Sequence, residues 1–478
     1  MRLIKGIPLL VFAFITILLL SSLGTKSIAE YVFVKESAIF LKEPAMDLWT
    51  KLKVLDSDII YNLSAKYNFF AENDFNLSYS LIFYGSLFIL IFRLISFTFL
   101  SFIYTIHSSI YNFYYRFLRK KEGIDKFLKI SIIIPAFNEE VTISSCIESM
   151  LSLNYPSYEV VVVDDGSSDN TYDVASKFSA NGVKVIRQQN TGKPGAINTG
   201  IKSASGEIVI TVDADSKLHP DALRWISRRF SGNPRLGAVA GNVKIDKPNS
   251  ILKTLQSLEY TSSINLGRKS QSLLHCVMIV PGAIAALRTR VLHEVGLFPE
   301  DTFAEDFDIT MRILKAGYQV EYESHAMAFT QAPESIEDII KQRRRWHRGM
   351  TQVLAKYKKM YLNPKYGTAG IIGVPYMWLE LSSSLINMAL LCILVVASIY
   401  MTDMSSLTTG MLTYWALMIG VSIYSVLIDS KPSIREIIIS PLFLFYNIFI
   451  DGICIMAFIE ESLNIAMKWE KPKREELG

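Results

Sequence analysis

The chain has 478 residues, of which half are hydrophobic and 12% are aromatic, and its mean hydropathy is +0.27. Its 49 basic and 45 acidic residues give a net charge of only +4. Nothing in this composition supports nucleic-acid binding, which needs a concentrated basic face. The cysteines are scattered and form no C-x-x-C pair, so they indicate neither a zinc site nor a disulfide framework and are predicted to be buried thiols in a reducing compartment. They are Cys146, Cys276, Cys392 and Cys454.

Apolar residues are concentrated in long runs at the two ends of the chain, whereas the middle has the composition of a soluble domain. This distribution predicts a globular domain between membrane segments. The first run, Ile7–Leu23, follows Arg2 and Lys5 and predicts a transmembrane helix within residues 1–28, with a signal peptide as the alternative. Residues 29–76 are polar and mixed, and we expect them on the extracytoplasmic side.

A second apolar run, Leu77–Tyr104, predicts another transmembrane helix, which only Arg93 interrupts. Residues 77–121 end in a basic linker, so the positive-inside rule places the following domain in the cytoplasm of a multi-pass plasma-membrane protein. An intramembrane arginine either snorkels or faces protein, or it lines a polar path, and Arg93 fits both interpretations. The basic residues of the linker are Arg116, Arg119, Lys120 and Lys121.

Residues 122–357 are predicted to form the cytoplasmic domain, because short β-branched runs alternate with helical patterns. Such alternation is typical of α/β folds in which helices cover both faces of a mostly parallel sheet. Ligands of these folds bind beyond the carboxyl ends of the strands. The predicted strands are Ile130–Ile134, Val160–Val163, Val183–Ile186 and Ile208–Val212, and the predicted helices are Val141–Leu151, Thr171–Phe178 and Ala196–Lys202.

Residues 358–462 return to membrane composition and contain three predicted spans. Five spans in total would leave the basic tail, residues 463–478, outside, although its charge favours the cytoplasm. Either one run is interfacial or re-entrant, or the first of the three contains two pieces. Glu380 and Asp451 lie within these runs, and intramembrane carboxylates are candidates for function. The three spans are Ile371–Tyr400, Leu407–Ile428 and Ile437–Phe458.

Two acidic motifs follow the first two predicted strands. The segment from Pro135 to Glu140 reads P-A-F-N-E-E, and Asp164-Asp165-Gly166-Ser167 closes the second strand. An aspartate at a strand end can accept a hydrogen bond from a ribose hydroxyl or a nucleobase N–H. The D-D-G-S sequence is also a good turn, so alone it does not identify a nucleotide site.

Asp213-Ala214-Asp215 follows the apolar strand that ends at Val212. Alternate residues of a strand share one face, so both carboxylates are expected to point the same way. Two hard oxygen donors suit a Mg²⁺ or Mn²⁺ ion that keeps some waters and bridges a diphosphate. Such an ion would neutralise the charge that develops on a departing nucleoside diphosphate.

The last cluster consists of Ala304-Glu305-Asp306 and, about forty residues later, Gln342-Arg343-Arg344-Arg345-Trp346. A carboxylate that faces a sugar hydroxyl can act as a general base. Arg345 offers planar donors for phosphate oxygens, and Trp346 offers an apolar face for a sugar ring. The basic sequence also fits the start of an interfacial helix at the membrane, and the two interpretations are compatible.

Taken in this order, the motifs resemble the processive family 2 glycosyltransferases, which include poly-β-1,6-N-acetylglucosamine, hyaluronan, chitin and cellulose synthases. The family pattern is an aspartate, a D-x-D, an E-D and a Q-x-x-R-W, and the resemblance extends from Ile130 to Trp346 with the flanking membrane runs. It implies a GT-A-type (Rossmann-like) α/β domain inserted between N- and C-terminal transmembrane helices. It also implies an inverting, in-line displacement without a covalent intermediate.

The resemblance further implies roles for individual residues. Asp306 corresponds to the catalytic base, and Asp213 and Asp215 correspond to the residues that contact UDP and its Mg²⁺ or Mn²⁺. The implied donor-binding residues are Pro135, Phe137, Glu139, Asp165, Lys193 and Asp213. The implied residues for the acceptor and the diphosphate are Glu305, Gln342, Arg345 and Trp346.

Two stretches, residues 281–288 and 330–334, look most like the poly-β-1,6-N-acetylglucosamine synthases, so UDP-N-acetylglucosamine is the expected donor. Pro281, Ala304 and Gln331 stand where serine, threonine and glutamate are more usual in that family.

We expect an enzyme that polymerises and translocates a polysaccharide, with the lipid bilayer and a secretion subunit as further partners. One alternative is a non-processive enzyme that adds a single sugar to a lipid or lipid-linked acceptor. Another is a non-catalytic secretion subunit, which the intact Asp306 disfavours because a binding module does not need a base there. A nucleotidyltransferase also pairs carboxylates around a metal, but Pro135–Glu140 lacks the glycine-rich basic loop of that class.

Overall fold

The computed structural model of the chain describes residues 83–111, 113, 127–400 and 405–466. The predicted first transmembrane helix, the segment 29–76, the basic residues of the linker and the tail beyond residue 466 lie outside the described residues. All four cysteines are described and free, and three of them are buried as predicted, whereas Cys392 is partly exposed.

The central domain contains one eight-stranded sheet with the order β3-β2-β1-β4-β7-β6-β8-β5. The first four strands pair in parallel, with β1 between β2 and β4. The strands are β1 (Ile130–Ala136), β2 (Tyr158–Asp164), β3 (Lys184–Arg187), β4 (Ile208–Thr211), β5 (Ser216–Leu218), β6 (Leu236–Ile245), β7 (Ala285–Arg288) and β8 (Gln319–Thr330).

The prediction of a mostly parallel sheet is confirmed for β1–β4, whereas the rest of the sheet is mixed. Strand β7 is antiparallel to both β4 and β6, β8 is parallel to β6, and β5 is antiparallel to β8. The chain enters β7 through the 3₁₀ turn Gly282–Ile284, at the same sheet edge where β4 ends, so β7 runs back along β4. Strand β6 is buried along its whole length, and such a strand lacks the alternation of polar and apolar residues that marks a half-exposed strand.

Fourteen α-helices lie within the described residues, together with short 3₁₀ and π segments. They are α1 (Phe83–Tyr111), α2 (Ile143–Leu151), α3 (Thr171–Ser176), α4 (Lys193–Ser203), α5 (Ala222–Gly232), α6 (Ile251–Glu259), α7 (Leu266–Leu273), α8 (Thr289–Val295), α9 (Glu305–Lys315), α10 (Ile336–Lys356), α11 (Val374–Tyr400), α12 (Ser405–Leu427), α13 (Ile434–Ile439) and α14 (Phe443–Ser462).

Helices cover both faces of the sheet, as predicted. On β1, Ile132 and Ile134 point into a core shared with α2 and α5, whereas Ile133 points into the opposite core, shared with α4 and α9. This alternation follows from the strand geometry, in which successive side chains face opposite sides. Gly200 of α4 allows the close approach of helix and strand, because a Cβ there would lie 2.3 Å from Ile133 Cγ2.

Within the described residues, four helical segments are long and apolar enough to cross a membrane. They include one N-terminal and all three C-terminal spans expected from the sequence within the described residues. The described residues divide into two compact units, of which the smaller contains residues 83–92, 385–400 and 405–414. The four segments are Phe83–Tyr111, Ala369–Val395, Leu407–Leu427 and Ile434–Ser462.

Within the larger unit Arg93 forms an ion pair with Glu380, and Tyr376 donates a hydrogen bond to the same carboxylate at 3.0 Å. This contact favours the interpretation in which Arg93 faces protein. A carboxylate partner lowers the cost of holding a cation in an apolar segment.

Candidate active site

The carboxyl ends of the parallel strands bring the acidic motifs to one edge of the sheet. Ala136 at the end of β1 pairs with Asp164 at the end of β2, which pairs with Arg187 at the end of β3. The loops beyond these ends are hydrogen-bonded to each other, because the N–H groups of Asn138 and Glu139 donate to the hydroxyls of Ser167 and Thr171 at 2.9 and 2.7 Å. Parallel pairing therefore places the first two motifs together.

Pro135 and Phe137 are half-buried at this edge. The Glu139 carboxylate accepts a hydrogen bond from Thr142 at 2.8 Å, just before α2 begins. All three residues thus lie at the predicted nucleotide edge, and their donor-binding role remains a prediction.

Asp165 anchors the loop that leads into α4. Its carboxylate accepts hydrogen bonds from the backbone N–H groups of Thr191 and Gly192 at 2.9 and 2.8 Å, and from the amide of Gln188 at 2.7 Å. Gly192 has a φ of 84°, a left-handed conformation that favours glycine. Asp165 is 3% exposed, and its hydrogen bonds hold the backbone just before Lys193, the first residue of α4.

Lys193 joins acidic residues from two distant parts of the chain. Its Nζ lies 2.6 Å from Asp213 Oδ1 and 3.1 Å from Glu305 Oε1. Burial opposes the charge of this ammonium group, but the carboxylates of Asp213 and Glu305 outweigh it and raise the pKa of Lys193 above its ordinary value. The lysine therefore stays protonated and offsets the repulsion between the carboxylates.

Asp306 follows Glu305 in the first turn of α9, and its Oδ1 accepts the N–H of Phe307 at 2.8 Å. Burial and the neighbouring charge of Glu305 raise the pKa of Asp306 to about 6, against the opposing effect of Lys193 and Arg345. A carboxylate with a pKa near the working pH is suited to general-base chemistry.

The strand argument for Asp213 and Asp215 is wrong, because β4 ends at Thr211 and the D-A-D sequence lies in the turn between β4 and β5. The two side chains have different partners. Asp213 faces Lys193, whereas Asp215 is 4% exposed and accepts hydrogen bonds from Ser216 and Thr330 at 3.1 and 3.3 Å. A turn leaves each carboxylate free to take its own direction.

Helix α10 carries the second half of the last motif, and most of its arginines have structural partners. Nitrogen–oxygen distances of 2.6 to 2.9 Å join Arg343 to Glu259, Arg344 to Glu460 and Arg348 to Glu461. Arg345 has no hydrogen bond or ion pair within the described part of the chain. It is therefore the member of this basic sequence that is available to an anionic ligand.

Gln342 and Trp346 lie on the same helix. The Gln342 side-chain oxygen accepts a hydrogen bond from Arg343 at 2.8 Å. The guanidinium of Arg343 lies 4.1 Å from the centre of the Trp346 ring, and the ring of Tyr260 is 6.4 Å away. This packing fixes the orientation of a half-buried indole.

The structure adds residues that sequence reasoning did not assign. A Cβ on Gly282 would lie 2.8 Å from Lys193 Nζ and 3.4 Å from both carboxylate oxygens of Asp213, so a side chain there would displace the lysine from its present position. Arg268 is 8% exposed, and burial lowers its pKa. Its hydrogen bond to Asn265 is 3.4 Å long, and the nearby charge of Asp306 opposes the effect of burial on its pKa. The sequence carries only a weak signal for Gly282, which lies in the stretch 281–288 that resembles one subfamily. It carries no signal for Arg268.

Comparison with known proteins gives matches in the same region. Residues 129–349 match the family model described as "Glycosyltransferase like family 2". The poly-beta-1,6-N-acetyl-D-glucosamine synthase of Staphylococcus epidermidis is 36% identical over 262 residues, which cover 53% of this chain and 64% of that protein. The protein of the same name from Staphylococcus aureus (strain COL) is 35% identical over the same coverage. The chain thus covers less than two thirds of the length of these relatives.

A solved structure confirms the GT-A-type fold. The mannosyltransferase PcManGT from Pyrobaculum calidifontis, in complex with GDP-Man and Mn²⁺, superposes with a TM-score of 0.50 at 20% sequence identity. The match covers 73% of this chain and 99% of that chain. At this identity the likeness concerns the fold alone.

The raised pKa of Asp306 predicts that Asp306→Asn stabilises the fold near neutral pH. The folded state holds the proton more tightly than the unfolded state, so stability is lost as pH rises from about 4 through 6. A neutral side chain avoids this loss and should gain on the order of 2 kcal/mol above pH 6, but nothing below pH 4. Thermal unfolding midpoints of the detergent-solubilised protein, measured near pH 7 and near pH 4, test this.

The matched control is Glu148→Gln, the same chemical change on an exposed carboxylate of α2. It should leave the midpoint unchanged at both pH values. Equal stabilisation by Asp306→Asn at both pH values, or destabilisation near pH 7, would contradict the assignment.

Proposed function

We propose that this chain, whose residues 129–349 are a glycosyltransferase family 2 domain, is an inverting membrane glycosyltransferase that polymerises sugar from a UDP-sugar, with UDP-N-acetylglucosamine as the donor. The observation that carries the proposal is the Lys193 bridge. It joins Asp213, beside the predicted donor, to Glu305, and Glu305 adjoins the candidate base Asp306. A transferase needs its donor site and its base within reach of one acceptor hydroxyl.

In the proposed reaction, Asp306 accepts the proton of an acceptor hydroxyl. The hydroxyl oxygen attacks the anomeric carbon of the donor sugar from the side opposite the diphosphate. The bond between the anomeric carbon and the diphosphate oxygen breaks, and UDP leaves with the electron pair. One displacement inverts the configuration at that carbon and needs no covalent enzyme intermediate.

The other residues of the site bind and orient. Asp165 and the segment from Pro135 to Glu139 face the uridine, and Arg345 donates to diphosphate oxygens in planar geometry. Trp346 supports the terminal sugar of the acceptor, since an aromatic face packs against the C–H groups of a pyranose. Gln342 and Glu305 border the same acceptor and diphosphate region.

A divalent cation, Mg²⁺ or Mn²⁺, belongs to this proposal. No group of three or more acidic, histidine or cysteine side chains suited to a metal lies within the described residues. Asp213 and Asp215 still fit an ion that takes few protein ligands and completes its shell with waters and substrate phosphates. Such an ion supplies charge neutralisation on the leaving diphosphate. Lys193 would share Asp213 with it.

The membrane segments give the proposal its cellular setting. In the part of the chain that the structure describes, four helical segments long and apolar enough to span a bilayer accompany the domain, which suits a plasma-membrane enzyme with a cytoplasmic site that passes its polymer across. The names of the relatives from Staphylococcus support poly-β-1,6-N-acetylglucosamine as the product. A secretion subunit is the proposed protein partner.

Purified protein incubated with single UDP-sugars tests the activity. We expect long polymer from UDP-N-acetylglucosamine on sizing gels, and a loss of turnover of about 10²–10⁴-fold in Asp306→Asn because the general base is gone. UDP binding, measured by calorimetry, should persist in that variant. Glu148→Gln is again the control and should match the wild type. A product with one added sugar would contradict processivity, and wild-type turnover in Asp306→Asn would remove Asp306 from the mechanism.

Removal of divalent ions tests the metal assignment. Turnover should stop in EDTA and return when Mg²⁺ or Mn²⁺ is added in excess, since the leaving diphosphate would otherwise depart without charge neutralisation. UDP binding should weaken in Asp215→Asn only when the ion is present. Full turnover in the chelator would show that Asp213 and Asp215 do not hold a metal.

A further inference from the structure

Gln352 on α10 contacts both the segment that leads to Asp306 and the end of α14. Its Nε2 donates to Glu461 Oε1 at 3.0 Å, and its Oε1 accepts the backbone N–H of Phe303 at 3.2 Å. Phe303 stands three residues before Asp306. One neutral side chain thus links the last turn of α14 to the backbone that carries the candidate base.

The start of α9 depends on such outside contacts. Ala304 is the residue that caps α9, and its methyl group can make no capping hydrogen bond. Serine, threonine, aspartate or asparagine would normally supply one. The alanine noted above as a departure from the usual threonine therefore leaves this helix terminus to be fixed from α10.

Gly349 provides a second point of contact, one helical turn before Gln352. A Cβ at this position would lie 2.7 Å from Ala304 Cβ and 2.9 Å from Ala304 N. The backbone of α10 therefore lies directly against residues 303 and 304. Residues three apart share a helix face, so Gly349 and Gln352 hold the segment together.

The opposite partner, Glu461, is itself fixed. It also accepts a hydrogen bond from Arg348 Nε at 2.9 Å, and Arg344 pairs with the adjacent Glu460. Arg344, Arg348 and Gln352 are spaced by four residues and form one face of α10 towards the end of α14. Arg348 also lies over the Phe303 ring, 5.9 Å from its centre, but among these three it is Gln352 that is hydrogen-bonded to the backbone of that segment within the described residues.

We propose that Gln352 is a positioning residue that holds Asp306 in place against the acceptor and couples the end of α14 to it. The inference rests on the proposed function, because it assigns Asp306 to the reaction. Helix α14 belongs to one of the segments apolar enough to span a membrane. A shift of its last turn would pass through Glu461 and Gln352 to the backbone of Phe303, and so to the base.

The test compares three variants with the wild type in membranes or detergent. Gln352→Met keeps the length and removes both hydrogen bonds. The double variant Gln352→Glu with Glu461→Gln reverses the amide and the carboxylate, so position 352 still accepts from Phe303 and is hydrogen-bonded to position 461. Glu460→Gln is the matched control, because it weakens the neighbouring ion pairs with Arg344 and Arg348 and leaves both hydrogen bonds of Gln352 in place.

We expect kcat to fall at least about tenfold in Gln352→Met, since a displaced base of this kind is costly, with the KM for the UDP-sugar nearly unchanged. The acidic limb of the pH profile should move to lower pH as water reaches the loosened Asp306. The reversed pair should recover most of the kcat, and Glu460→Gln should resemble the wild type.

Three outcomes decide the matter. An inactive wild type would refute the proposed function itself. An active wild type with a Gln352→Met variant no worse than Glu460→Gln would overturn the positioning role. The role would also be overturned if the pH limb did not move and kcat fell only in proportion to the folded fraction, which UDP binding measures. That result would mean that Gln352 only stabilises the fold.

Discussion

The charge of Lys193 is the interaction on which the rest of the site depends. Asp213 comes from the turn after β4 and Glu305 from the start of α9, and the ammonium group contacts both. Opposite unit charges about 4 Å apart attract by roughly 4 kcal/mol at the effective dielectric of a protein surface, and like charges repel by as much. Without the lysine, the carboxylates of Asp213 and Glu305 would repel each other with no cation between them. Compensation is incomplete at Asp306, whose pKa stays raised to about 6 by burial and by Glu305. Burial of this carboxylate costs the fold stability, as often happens at functional sites.

Helix α10 links this site to the membrane-spanning part of the chain. Three of its arginines are bound to carboxylates of α6 and α14, and Arg345 is left for a ligand. The basic sequence that suggested an interfacial helix is therefore mainly a set of buried or half-buried ion pairs between elements of the larger unit. Gly349 brings the same helix against the residues before Asp306. The segment before Asp306 and the last turn of α14 are consequently both in contact with this one helix.

The sequence predicted those parts of the fold that local patterns encode. Strands β1–β4 and the helices between them follow from alternating apolar runs, and the positions of Asp165, Lys193 and Asp213 follow from parallel pairing. Strand β6 was not predicted, because it is buried along its whole length and lacks the alternation of polar and apolar residues. The turn at Asp213 and Asp215 was misjudged, since β4 ends one residue before Val212. Contacts between residues far apart in the chain could not be predicted from local patterns. They include the Lys193–Glu305 pair, the close approach of Gly282 to Lys193 and Asp213, and the pairing of Arg343 with Glu259. The resemblance to a family predicted roles for individual residues, whereas their contact partners became known only from the structure.

The pH dependence of kcat/KM for the acceptor tests the central claim most directly, because this ratio reports the ionisation of the free enzyme. With Asp306 as the base beside Lys193, activity should rise with pH through an apparent pKa near 6 and then level off. In Lys193→Gln the same limb should move to higher pH, since the cation that favours the ionised carboxylate is gone. A wild-type profile that is flat through this range, or a limb that Lys193→Gln leaves in place, would contradict the account.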